Sequence, residues 1–150
     1  MSDTTFTNNV TLTDADWFND LNRLHYTILG DPATLAALKT TLGINGIQQN
    51  SKSAAYTTVL SDANKHIYHP SSDNNARTFT IDSNANVAYD IGTAITFVNE
   101  INTVTISITA DTLTLAGSGS TGSRTLAANG IATALKVAST KWVISGTGLT

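Results

Sequence analysis

The chain has 150 residues and no Cys, with 8 Lys+Arg against 11 Asp+Glu and 13 % charged residues against 41 % hydrophobic. That length and apolar content allow one proper core with a small appendage and argue against disorder, and the missing Cys excludes disulfide scaffolds, thiolate metal sites and Cys nucleophiles. A net charge of −3 with singly scattered basic residues argues against nucleic acid, no apolar run is long enough to span a bilayer, and Met1–Thr5 lacks the marks of a signal peptide.

In chain order, Thr13 reads as a helix N-cap, with Asp16 three positions later in a capping-box-like arrangement. Trp17, Phe18, Leu21, Leu24, Ile28 and Leu29 then recur at helical spacing as one apolar stripe, and Gly30 is a natural stop. Asp31-Pro32 predicts a second N-cap followed by Pro at the first helical position. Leu35, Leu38 and Leu42 face one way along that helix, and Gly43 ends it. Short helices are marginal alone, so the first stripe needs a partner surface. Its own β body, a sister subunit or a different protein would serve, which makes those six residues the candidate anchor interface. The polar stretch Gln48–Ser53 reads as a linker that completes an N-terminal segment over residues 1–50.

Residues 55–150 carry short β runs between turn signals. Predicted strands are Tyr56–Leu60, Lys65–His69, Arg77–Ile81, Val87–Tyr89, Thr93–Asn99, Thr103–Ala110, Thr112–Ala116, Ile131–Ala138 and Lys141–Ser145. Thr, Ser and Asn make up about a third of the chain, which suits strands and turns. Asn129-Gly130 before a strand is a tight-turn signal, and no repeat of fixed period is visible. The expected fold is mainly β, a short helical segment followed by a β-sandwich or jelly-roll-like domain.

The chain offers little catalytic chemistry. His66 and His69 stand three apart on a strand, so they point to opposite faces and do not converge on one ion. Surface or edge positions are expected for them, and His25 lies on the N-terminal helix. Asp62, Asp73, Asp82, Asp90 and Asp111 fall at or near turns, where backbone capping accounts for them. Gly117-Ser118-Gly119-Ser120-Thr121-Gly122 fits a dinucleotide pattern, but a β-like stretch follows where a helix would be needed. Trp142 is expected in the core, and Tyr56, Tyr68 and Tyr89 could line a shallow glycan site. No catalytic residue, metal site or cofactor is expected.

Several stretches carry a resemblance in their order and spacing. They are Tyr56-Thr57-Thr58-Val59-Leu60-Ser61-Asp62-Ala63-Asn64-Lys65, Arg77-Thr78-Phe79-Thr80-Ile81, the run from Val87 to Asn99, and the run from Ala134 to Gly146. Together they resemble a β domain that recurs in virion proteins of tailed bacteriophages, notably tail fibres and decoration proteins. The opening from Phe6 to Thr13 and on to Asp20 is similar to the N-terminal segment of phage fibre-type proteins. The resemblance implies a non-enzymatic virion component, usually a homotrimer, made in the host bacterial cytoplasm. A typical tail fibre is much longer, with a shaft between anchor and tip. Expectation therefore favours a capsid-decorating cement protein or short head fibre on the capsid surface, with the major capsid protein as partner. A tail-associated fibre or adaptor, bound to a tail protein and to a host surface glycan, is the alternative. A glycan-depolymerising enzyme is more distant.

Overall fold

The computed structural model describes residues 4–5, 11–12, 32–42, 44 and 46–150. The chain divides into two units, Met1–Gly46 and Ile47–Thr150.

In the first unit, β1 (Thr4–Thr5) pairs antiparallel with β2 (Thr11–Leu12). Helix α1 (Pro32–Thr41) begins at the proline, as the Asp31-Pro32 signal predicts. The pyrrolidine ring presets φ at a position whose N–H has no helical partner to lose. Leu35 and Leu38 are half-buried while Ala36, Ala37, Lys39 and Thr40 are exposed, as expected, but Leu42, expected on the same face, is 60 % exposed just past the helix end. Thr40 Oγ1 donates back to the Ala36 carbonyl at 2.9 Å. The predicted first helix lies outside the described residues.

The second unit is mainly β. Its strands are β3 (Gln49–Ser51), β4 (Tyr56–Thr57), β5 (His66–His69), β6 (Arg77–Ile81), β7 (Ala94–Asn99), β8 (Val104–Ile108), β9 (Thr112–Leu115), β10 (Arg124–Ala138) and β11 (Lys141–Leu149). They form one nine-stranded sheet. Within it β3, β5 and β7 stack in parallel, and so do β4, β6 and β8. Strand β9 runs parallel to β11. The chain thus winds in successive coils, each strand lying on its counterpart from the coil before, in a solenoid-like arrangement.

This pairing departs from the antiparallel pattern of a sandwich or jelly roll. Alternation of apolar and polar residues is the same in both architectures, because it reports one buried face and not the direction of the neighbouring strand. The coils are also unequal: Gln49 pairs with His66, and His66 with the more distant Thr96, so no fixed period marks them. Three local expectations change as well. The polar stretch expected as a linker contains β3, whose backbone pairs with β5 although its side chains are largely exposed. Val87–Tyr89 is not a strand but part of the loop between β6 and β7. Asn129-Gly130 makes no hairpin. Asn129 sits at φ 59° inside β10, where the register shifts between Leu126 and Ile131.

That shift lets one strand close the stack. Before it, Arg124–Leu126 pair antiparallel with β8, and after it Gly130–Leu135 pair antiparallel with β7. Strand β10 therefore covers the edges that the last coil would otherwise leave unpaired. Inward-facing residues stack in register from coil to coil, with Ile67 beside Phe97 and Phe97 beside Ala132. Ile95, Ala134 and Ile144 form a second such row, and Leu113 meets Trp142 in a third. All of these are buried, as are Phe79, Ile81, Val104, Ile106 and Leu126. Trp142 lies edge-on to Tyr89 with ring centroids 5.5 Å apart, in the core as expected.

Candidate functional site

The candidate anchor residues Trp17, Phe18, Leu21, Leu24, Ile28 and Leu29 lie outside the described residues, as does His25. The remaining candidates all fall in the second unit.

Four of the five turn carboxylates, those of Asp62, Asp73, Asp82 and Asp111, accept intramolecular bonds, while Asp90 is exposed. Asp62, in the 3-10 turn Leu60–Asp62, is 1 % exposed. It accepts from Asn50 Nδ2 at 2.7 Å, Tyr56 Oη at 2.7 Å and the Val59 N–H at 2.9 Å, so one carboxylate gathers β3, β4 and the turn after them. Burial first, and then the bond to Asp62, push the Tyr56 hydroxyl above its ordinary pKa. Asp82 accepts from the Ser83 N–H at 2.8 Å and Asn86 Nδ2 at 3.1 Å, and these bonds hold its carboxyl below the ordinary value. Asp111 accepts the Asn84 N–H at 3.0 Å.

His69 is fully buried, not at a surface or edge as expected. Asn99 Nδ2 donates to the Asn102, Leu126 and Ala127 carbonyls, which turns its Oδ1 toward His69 Nδ1 at 2.7 Å. The other ring nitrogen faces Asp73 Oδ2 at 3.1 Å. Arg77 grips the same carboxylate with two bonds, Nε at 2.6 Å and Nη2 at 2.8 Å, and Asn75 Nδ2 adds a third at 2.6 Å. The Arg77 fork above all, then Asn75 and His69, hold the Asp73 carboxyl well below the usual carboxylate range. The cluster joins the β5–β6 corner to the end of β7 and to the register shift of β10. His66 points to the opposite face of β5, as the spacing predicts. Among the described residues no three His, Asp or Glu come together to hold a metal ion.

The tyrosines have separate roles. Tyr89 is buried with its hydroxyl on the Val59 carbonyl at 2.6 Å, and burial pushes its pKa up to about 12. Tyr68 is half-buried on β5, bonded to Glu100, and Tyr56 carries the Lys52 ammonium 4.0 Å from its ring centroid.

Two features went unmarked in the sequence. The first is the outward face of β7, β10 and β11. Register places Ala94 beside Leu135 and Val143, Thr96 beside Thr133 and Ser145, and Val98 beside Ile131 and Thr147. The face carries no charged residue across these rows, and Thr96 and Thr133 share a hydroxyl bond of 2.9 Å at its centre. Ile131, Leu135 and Val137 are 49 %, 43 % and 40 % exposed, and the exposed Ile91 precedes Gly92, whose N–H donates to the Lys136 carbonyl. Alternation along β10 could have disclosed it: Ile131, Thr133, Leu135 and Val137 share one parity, with Ala132, Ala134 and Lys136 on the other. The second is Lys136 itself, which that parity turns into the interior.

Comparison with known proteins finds no matching family model, no matching curated protein and no matching solved structure.

Proposed function

We propose that the chain is a non-enzymatic structural protein of a tailed-phage virion, a capsid-decorating cement protein or short head fibre assembled as a homotrimer. Its N-terminal segment would attach it to the shell and its β body would project outward. In place of a sandwich, the projecting body is a short stack of coils closed by β10.

One observation carries the assembly reading: the charge-free outward face on β7, β10 and β11, with Ile131, Leu135 and Val137 open to solvent. Exposed apolar patches mark contact surfaces more often than they mark catalytic ones. The carboxylates Asp62, Asp73, Asp82 and Asp111 are each held by neighbouring donors, which leaves no converging pair free for glycan hydrolysis among the described residues. The phage setting rests on the resemblance in sequence. A tail-associated fibre or adaptor that binds a host surface glycan is the second reading, favoured by the parallel stacking of coils, since such stacks extend along one axis as fibre shafts do.

Quantitative mass spectrometry of purified virions tests the proposal. A copy number comparable with the major capsid protein supports decoration of the shell. A few copies per particle supports the tail reading, and absence from the particle overturns both.

A further inference from the structure

Lys136 is 1 % exposed, on a strand whose interior partners are otherwise apolar. Its Nζ lies 2.6 Å from Asn84 Oδ1 and 5.7 Å from the centroid of the Trp142 ring. Among the described residues no carboxylate oxygen comes within the 4.0 Å of an ion pair, so the head group has three hydrogens for one acceptor. A buried ammonium without a counter-charge is an expensive group to keep. Both partners are nevertheless held firmly in place. The Lys136 N–H donates to the Thr93 carbonyl and its own carbonyl accepts from Gly92, both in the loop that contains Asn84. The Asn84 N–H is fixed in turn by Asp111.

We propose that Lys136 and Asn84 are the two halves of an intramolecular isopeptide bond. Nζ adds to Cγ of Asn84, and the Nζ–Cγ bond forms. The Cγ–Nδ2 bond then breaks, and Nδ2 leaves as ammonia with one hydrogen taken from Nζ. Only the neutral amine carries the lone pair for this attack, so a lysine that starts protonated gives up that proton as Nζ adds, and the proton leaves with Nδ2 as ammonium. No oxidant, reductant or co-reactant is involved, because the reaction is a transamidation between an amine and an amide already in contact. Proximity supplies the main advantage, because a pair held in reach reacts as a single molecule. Which end of the Asn84 amide faces Nζ does not matter, since both are bonded to the same carbon. The product exchanges an unpaired buried charge for a neutral amide, in a place the Trp142 ring and the docked loop shield from water. The bond would lock the β6–β7 loop to β10 across 52 residues of sequence and so tie the last coil to the strand that closes the stack. It is independent of the particle in which the chain is assembled.

Intact-mass spectrometry of the purified, denatured full chain after prolonged incubation in the folded state decides the matter. The expected mass is lower than that of the sequence by one ammonia, and a digest contains one branched peptide joining Lys136 to Asn84. K136R and N84A are expected to keep their full sequence mass. Should K136R fail to fold, the digest of the unmodified chain still gives the answer. An unaltered mass overturns the proposal. So does an ammonia loss that maps to Asn129-Gly130 or Asn45-Gly46, where succinimide formation would produce the same mass change.

Discussion

Asp62 separates a structural carboxylate from a catalytic one. In Asp62→Ala, Asn50 Nδ2, Tyr56 Oη and the Val59 N–H lose a common acceptor. Bonds to a charged group contribute about 1.5–3 kcal/mol each, and water can reach the part-buried Asn50 and Tyr56 to recover a share, so the expected loss is about 3–4 kcal/mol. That is a large fraction of the ~5–15 kcal/mol that holds a domain of this size. Asp62→Asn should cost only about 1 kcal/mol. The new amide oxygen can take the Tyr56 and Val59 bonds, while the Asn50 amide turns to accept from the new NH2. Urea denaturation of the three proteins, with a common slope, measures both numbers. A catalytic carboxylate behaves in the opposite way, since its removal tends to leave stability unchanged or raised. An Asp62→Ala variant within about 1 kcal/mol of the parent would refute the structural role. Equal losses for the Ala and Asn variants would show that the charge, and not the acceptor, is what the site needs.

Asp73 predicts a pH dependence. Its carboxyl is depressed in the fold, so its stabilisation is present above the ordinary carboxylate range and is lost as pH falls from there through the folded value. Asp73→Asn should therefore be less stable than the parent at neutral pH, with the gap closing in strong acid. Denaturation curves that stay parallel across that range would contradict this. A Cβ on Gly146 would overlap the Ile131 carbonyl oxygen and Ala132 Cα, so Gly146→Ala should destabilise by about 1–3 kcal/mol in the same denaturation assay. Phe79→Ala empties a fully buried ring site between His69 and Phe97 and should cost about 3–5 kcal/mol. On the outward face, Ile131→Lys with Leu135→Lys should leave unfolding within about 0.5 kcal/mol of the parent while abolishing self-association by light scattering. Association that persists unchanged would remove this face from the assembly.

The limits of the sequence are visible in particular residues. Pro32 and the leucines that follow announce α1 because capping and helical periodicity are local. Arg77–Ile81 and Thr112–Leu115 are legible for the same reason, since alternation over a few residues reports one buried face. The direction of the partner strand is not local. Ile67, Phe97 and Ala132 share a row only because the chain returns in the same sense after each coil and then reverses in β10. The buried polar residues were hidden for a related cause. His69 reads as an ordinary strand histidine until Asn99, thirty positions on, and Asp73 are placed on its two nitrogens.

Those buried polar groups also explain how so little charge suffices. A sandwich can align its sheets through a broad two-sided apolar core, but a narrow stack of unequal coils must fix each corner separately. Asp62 does this for the first coil and the His69–Asp73–Arg77 group for the next corner. At the closing strand, Lys136 faces Asn84 and the Asn99 amide holds the Leu126 and Ala127 carbonyls where the register shifts. Each acts across a chain reversal, where backbone pairing is interrupted and carbonyls and N–H groups need other partners. Elsewhere hydroxyls such as Thr80 with Ser107 and Thr96 with Thr133 bond strand to strand without any charge. Apart from Lys136, which sits within β10, the charges that remain inside are thus concentrated at the bends, and the outward face of β7, β10 and β11 is left free of them. A surface of that kind gains little from salt-sensitive attraction, so the proposed assembly through its apolar and hydroxyl contacts should vary little with ionic strength.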